Sequence, residues 1–286
     1  ADIQHDRTTL SRLVAQTTQA DLHLASVMVK LRCDSVWEKL LIPAFVFFFQ
    51  KLYPFRWVND PTRSTAAAAG GCILVRRNTL TAIGGIAAIR HALIDDCALA
   101  FAIKHHKINR QQELEQKSNL KVNYLSEQQD QTPDSDQLKA TIRSPFHAFN
   151  PIWLGLSQNT YSLRPYPDLK SIWEMVARTA YTQLNYSPLL LLGTLIGMGF
   201  IYLVAPIALL TGLLTHQFLI AAIGLLTWLL MALAYAPTIQ FYRCSPLFTF
   251  SLPLIAFLYT LMTIDSARRH WQGKGGAWKG RVYSAE

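Results

Sequence analysis

Charged side chains are scarce in this sequence. Only 16% of its 286 residues are Asp, Glu, Lys or Arg and 51% are hydrophobic, yet the net charge is +9. That scarcity argues against a nucleic-acid binder, which spreads its basic residues over a polar chain. An oily chain with a basic balance suits an anionic lipid surface instead. Cysteine is sparse too: Cys33, Cys72, Cys97 and Cys244 are scattered, with no CxxC and no Cys/His ligand spacing. This excludes the usual zinc frameworks and fits buried small hydrophobes in a reducing compartment. An initiating Met and a signal peptide are both missing, so the chain reads as a piece of something longer.

Beyond Pro188 charge vanishes altogether over long stretches. "PLLLLGTLIGMGFIYLVAPIALLTGLL" (Pro188 to Leu214) and "QFLIAAIGLLTWLLMALAYA" (Gln217 to Ala236) carry none. A crossing needs about twenty apolar residues, so both read as membrane spans. A third run, "PLFTFSLPLIAFLYTLMTI" (Pro246 to Ile264), is shorter and holds Pro253 midway. The link "THQ" lacks Lys and Arg and is expected outside, whereas Arg243 and the basic tail (Arg268, Arg269, Lys274, Lys279, Arg281) are expected inside. Three full crossings cannot satisfy both, so the third segment is expected to be re-entrant or interfacial.

Residues 1–186 alternate short apolar runs with turns and amphipathic segments, as α/β chains do. Thr8 to Gln19 predicts a short helix and Leu22 to Leu31 a strand. In the segment Ser35 to Phe55, the apolar core Leu40–Phe49 is too short to cross a bilayer. It suits a buried core helix or, given Trp37, Lys39, Lys51 and Tyr53, one lying among headgroups. From about 105 to 150 the chain is polar and Gln-rich, which predicts a disordered insert with His105 and His106 solvated at its root. Residues 187–266 form the membrane region and 267–286 a basic tail.

The chemistry-bearing residues fall in one ordered series. "AAAAGGCILVRR" supplies Gly70–Gly71, an apolar strand and Arg76–Arg77; Gly84–Gly85 follow, then "IDDCALA" with Asp95 and Asp96. Glycine pairs permit positive φ or close backbone approach. Two adjacent carboxylates can sit at a helix start, favoured by its dipole. They can also serve as a base, since a like-charged neighbour raises proton affinity.

This order resembles the second half of the catalytic domain of family 2 glycosyltransferases, which have the GT-A fold. "LRCDSVWEKLLIPAFVFFFQKLYPFRWVNDP", "AAAAGGCILVRR", "IDDCALA", "IWLGL", "SLRPY", "IWEMVARTAYTQLNYSPLLL" and "GGAWKGRVY" together resemble the hopene-associated glycosyltransferases. The likeness spans nearly all of the chain outside the polar insert. It is similar, more distantly, to ceramide glucosyltransferases and carotenoid-modifying glycosyltransferases. The fold class it implies is α/β, the C-terminal half of a GT-A domain followed by transmembrane helices.

The resemblance implies a general base at Asp96 with Asp95 beside it and Leu99 packed behind. Gly70, Gly71 and Arg76 would stand at the acceptor and donor end. "ADI" looks like a D-x-D motif cut after its first carboxylate, leaving Asp2 to hold Mg²⁺ or Mn²⁺. Arg178 stands for the arginine of the family's Q-x-x-R-W motif, with Met175 and Thr179 where Gln and Trp would be. It would contact diphosphate or acceptor, or anchor a headgroup. Arg281, in "GGAWKGRVY", would either lie on anionic lipid or fold back onto phosphate. The implied partners are a nucleotide-sugar donor, a hopanoid-like lipid acceptor and the inner membrane, with the catalytic part cytoplasmic. The donor half is not in this chain, so a non-catalytic or truncated remnant is the alternative. A transporter subunit is a third reading, supported only by the spans.

Overall fold

A computed structural model describes residues 2–106 and 152–275. The polar insert from residue 107 and the tail from residue 276, with Arg281, lie outside the described residues. The fold is mixed α/β with a four-stranded sheet and three long apolar helical rods.

The sheet runs β1–β4–β2–β3, with β1 Ile3–His5, β2 Leu24–Lys30, β3 Ile73–Val75 and β4 Ile152–Ser162. β2 and β4 are parallel, in register Leu24↔Ile152 to Met28↔Leu156, whereas β1 and β3 pair antiparallel at the two edges. The period of two sorts the side chains. Leu24, Met28, Ile152 and Leu154 enter the large core. Ala25, Val27 and Trp153 face Leu13 of helix α1 (Thr9–Gln19) on the opposite side.

Helix α2 (Val36–Leu52) begins in a capping box. The Ser35 hydroxyl accepts from Glu38 N (3.0 Å), and Glu38 Oε2 accepts from Ser35 N and Asp34 N, both at 2.8 Å. Its other oxygen, Oε1, accepts from Tyr166 N at 2.7 Å, so one carboxylate pins the loop after β4 to the start of α2. Burial would raise its pKa, but the N–H bonds from Tyr166, Ser35 and Asp34 outweigh that and hold it below the ordinary value. Of the two readings of α2, the buried core helix is the one its packing matches. Leu41, Ile42 and Phe47 are buried, and Phe47 and Phe48 pack edge-on against Tyr235 and Tyr202 of the apolar rods.

A short turn α3 (Phe55–Val58) leads into 66–69, four buried alanines that lie along β2. The Ser26 hydroxyl accepts from Ala69 N (2.8 Å) and lies within bonding distance of the Ala69 and Cys72 carbonyls. After β3, helix α4 (Arg77–Ala82) ends at Gly84 and Gly85, whose φ values of 93° and 72° need glycine. Residues 95–106 form α5. His105 and His106, expected in a solvated turn, continue this helix, and His105 stacks on Phe101 at 3.8 Å. Lys104 is fully buried, its ammonium donating to the carbonyls of Val58 (2.7 Å), Thr65 (2.8 Å) and Trp57 (3.3 Å).

Helix α6 (Leu169–Thr179), capped by Asp168, precedes the rods. The first rod is α7 (Pro188–Met198), a wider turn at Gly199–Leu203, and α8 (Val204–Leu214); the second is α9 (Phe218–Phe241). Glycines set their spacing: a Cβ at Gly212 would meet Ala221 N at 2.4 Å, and one at Gly224 would meet Leu209 N at 2.5 Å. The third rod, Pro246–Trp271, is a tight 3₁₀ turn followed by α10 (Leu252–Trp271). Pro253, expected to break this segment, falls in the first turn of α10, where its missing N–H costs nothing. All three rods are long and apolar enough to cross a membrane.

The Glu38 tie yields a prediction. Its lowered pKa means that its stabilisation is present above the ordinary value of 4.5 and disappears as pH falls through the folded-state value. Glu38→Ala should cost about 3 kcal/mol at neutral pH, because three backbone N–H groups lose their acceptor. Thermal melts in detergent should show the gap to wild type closing well below pH 4.5.

Candidate functional site

Asp95 and Asp96 occupy the first turn of α5, where Ala98 N already bonds the Ile94 carbonyl. The two carboxylates have different surroundings. Asp95 is exposed and caps Asp96 N at 2.9 Å. Asp96 turns inward: Oδ2 accepts from Gly70 N and Oδ1 from Cys97 N, each at 2.7 Å. Burial raises the Asp96 pKa, the two N–H bonds pull against it, and the charge of Asp95 adds to the rise. Each carboxylate oxygen keeps a second lone pair, so Asp96 can still accept a proton from a bound group.

The glycine pair divides its work. A Cβ at Gly70 would stand 3.2 Å from Asp96 Oδ2, so glycine there lets the backbone N–H reach the carboxylate. A Cβ at Gly71 would meet both Val29 methyls, at 2.7 and 2.8 Å. Gly71 therefore serves the packing of 70–72 on β2. Arg76 is not brought to Asp96. Its guanidinium bonds the carbonyls of Leu22 (2.6 Å) and Thr17 (3.3 Å) and pairs with Asp21 at 2.7 Å, tying β3 to the α1–β2 junction.

Arg178 lies on α6 and lines a cavity of about 200 Å³ with Arg164, Tyr166, Ser171, Glu174 and Met175. Burial, then the repulsion of Arg164, lowers its pKa, while Tyr166 and Asp95 act in the opposite sense. A guanidinium stays charged regardless, so the cavity carries two cations, a phenol and the Glu174 carboxylate. Asp2 approaches from the sheet edge, its carbonyl accepting from Leu163 N at 2.6 Å, and its charge helps raise Tyr166, after burial. The charges of Asp2 and Asp95 thus reach groups of this cavity, although neither carboxylate lines it. Asp2 offers one exposed oxygen-donor carboxylate; among the described residues no three His, Cys, Asp or Glu side chains converge. A hard oxygen donor of this kind is the ligand type that Mg²⁺ takes.

Arg164 and Tyr166 escaped the reading of single residues, although "SLRPY" offered a signal: a cation beside proline just after a strand. Two further groups were hidden completely. Tyr53 ends α2 and accepts a hydrogen bond from the Gln183 amide, and its phenol faces Cys97 and Asp96. Burial, then the Asp96 charge, pushes the Cys97 thiol up to about 12.

The division of work between the glycines is testable by thermal melts in detergent. Gly71→Ala should destabilise the protein by about 1–3 kcal/mol through overpacking against Val29. Val29→Ala in the same chain should restore most of that loss, whereas the Val29→Ala change should not rescue Gly70→Ala. Set against known proteins, the chain matches no family model, no curated protein and no solved structure.

Proposed function

We propose that this chain is a membrane-bound inverting glycosyltransferase of GT-A type that moves a sugar from a nucleotide-sugar to a lipid hydroxyl, hopanoid-like in class, at the cytoplasmic face. The observation that carries this reading is the inward-turned Asp96 carboxylate, whose neighbour Asp95 acts on Arg178 of the cavity, on an α/β layer fused to apolar rods. Asp96 would take the proton of the acceptor hydroxyl as that oxygen bonds the sugar carbon and the bond to the nucleoside diphosphate breaks. Raised proton affinity suits a base, and the Gly70 and Cys97 N–H groups fix its direction. Asp95 and the first turn of α5 keep that base in place, while Arg178 and Arg164 offset the charge of the departing diphosphate. Asp2 would hold the divalent ion, which supplies further neutralisation of that leaving group.

The complete reading frame in membranes should carry radiolabelled sugar from a nucleotide-sugar into the lipid fraction. Asp96→Asn should lower that rate roughly a hundredfold or more. In wild type kcat/KM should rise with pH through an apparent pKa above the ordinary carboxylate value of 3.8, and that limb should be absent from the residual activity of Asp96→Asn. Undiminished transfer by Asp96→Asn would remove the base assignment.

The reading also requires that the third rod return to the side it left. Cys244, just before this rod, lies 3.5 Å from Cys33 of the soluble layer. Phe250, early in the rod, accepts from the Trp228 indole midway along α9. The far end is back at the soluble layer: Asp265 accepts from the Trp173 indole (2.8 Å), Ser266 from Tyr181 N (3.0 Å), and His270 stacks on Tyr186 at 4.3 Å. Both ends thus meet the same layer, which supports the reading in which two rods cross and the third dips in and returns. A membrane-impermeant maleimide applied from outside should label Gln217→Cys, in the α8–α9 link, and leave Gln272→Cys untouched. Equal labelling of the two would mean three crossings.

A further inference from the structure

A largely apolar hollow of about 340 Å³ lies between the end of α2 and the first turns of α5, lined by Leu52, Tyr53, Ala66, Cys97, Ala98 and Phe101, with Ser64 and Thr65 completing the wall. We propose that this hollow seats the hydrocarbon body of the acceptor, with its hydroxyl directed past Tyr53 toward Asp96. The inference rests on the lipid-directed transfer argued above and assigns the substrate's apolar part to a place. Its volume falls at the lower end of the roughly 300–1,000 Å³ range of ligand pockets, enough for part of a lipid.

Three features select a membrane hydrocarbon as the occupant. The first is continuity with the apolar layer. α2 packs through Phe47 and Phe48 on Tyr235 and Tyr202 of the rods, and Tyr53 is bonded by Gln183 just before the first rod begins at Pro188. A molecule entering here need not leave the bilayer surface. The second is the character of the rim. Leu52, Trp57 and Phe101 are each about half exposed, and Lys51, Arg56 and Arg63 stand among them, with Arg63 5.4 Å from the Trp57 ring centre and Lys51 5.1 Å from that of Phe47. Aromatic rings interleaved with cations suit the headgroup level of an anionic leaflet. The third is the floor. Cys97 neighbours Asp96 in sequence and Tyr53 faces both, so the apolar walls end at the carboxylate. Burial keeps Tyr53 a neutral phenol, able to donate to an acceptor oxygen while it accepts from Gln183.

The test uses the full chain in nanodiscs of phosphatidylcholine and phosphatidylglycerol, with a long-chain alkyl alcohol carrying a diazirine on its chain. Irradiation and peptide mapping should place label on residues 52–66 and 97–101. Ala98→Phe, which fills the hollow, should cut that label roughly tenfold and raise the acceptor KM to match, with the donor KM unchanged. Phe101→Ala, at an exposed rim position, should lower the label severalfold and covers the case in which the larger substitution fails to fold. Label that avoids these peptides, or is equal in wild type and Phe101→Ala, overturns the proposal. Asp96→Asn separates it from the catalytic reading. If that variant transfers sugar normally while the hollow is labelled, the base assignment falls and the lipid seat stands. If it is inactive and label never enters the hollow, the seat falls and the base stands.

Discussion

The placement of Asp96 depends on how α5 grips one irregular stretch of backbone, residues 57–71, at both ends. At its start, the Asp96 carboxylate takes the Gly70 N–H. Further along the helix, the Lys104 ammonium gives hydrogen bonds to the carbonyls of Trp57, Val58 and Thr65. A backbone without regular partners must find them elsewhere when it is buried, or lose about 1–3 kcal/mol per orphaned group. Anion on N–H and cation on carbonyls is the arrangement that satisfies both kinds. Burial pushes the Lys104 pKa down to about 8, with Asp60 pulling the other way, which leaves it charged in the neutral range and held by its three acceptors. Between these ends lie Ala66 to Ala69, whose small side chains let α5 and β2 approach the same segment from two sides.

This grip explains why a half-buried carboxylate can persist beside a second one. Two N–H donors and the helix start favour the ionised form of Asp96, while burial and Asp95 disfavour it. The opposition leaves a group whose proton affinity is raised and whose direction is fixed, the two properties asked of a base. Asp95, exposed to solvent, cannot have both.

The elements legible in the sequence are those that local pattern decides. Thr8 to Gln19 announces itself by its amphipathic pattern, Leu22 to Leu31 by its apolar and β-branched run, and the rods by length and absence of charge, because burial on one face or all around leaves a local trace. Contacts that join distant segments leave none. Glu38 reads as half of a capping box; its bond to Tyr166 N, 128 residues away, does not. Arg76 reads as half of a basic pair expected at the acceptor and donor end, yet the α1–β2 junction claims it through Leu22, Thr17 and Asp21. Lys104 looks like the first residue of a polar loop and is fully buried. The carboxylate pair was visible as an anomaly, two like charges in an apolar run. Which one turns inward was set by Gly70, which only the fold brings near.

The joint between the soluble layer and the rods has a consequence for any reaction at Asp96. α2 touches the rods through Phe47 and Phe48, its Leu41 carbonyl accepts from Tyr259 of α10 at 2.9 Å, and α6 is tied to the same helix through Trp173 and Asp265. These ties come from separate stretches of the chain and engage the apolar layer through different partners, so rocking of one layer on the other would break several at once. In the proposed reaction, a carboxylate that must meet a hydroxyl within about 3 Å would not tolerate such rocking. There the aromatic joint would hold the frame of the lipid-borne hydroxyl as the Gly70 and Cys97 N–H groups hold the base. Each would fix one partner against a common frame, and neither would suffice without the other.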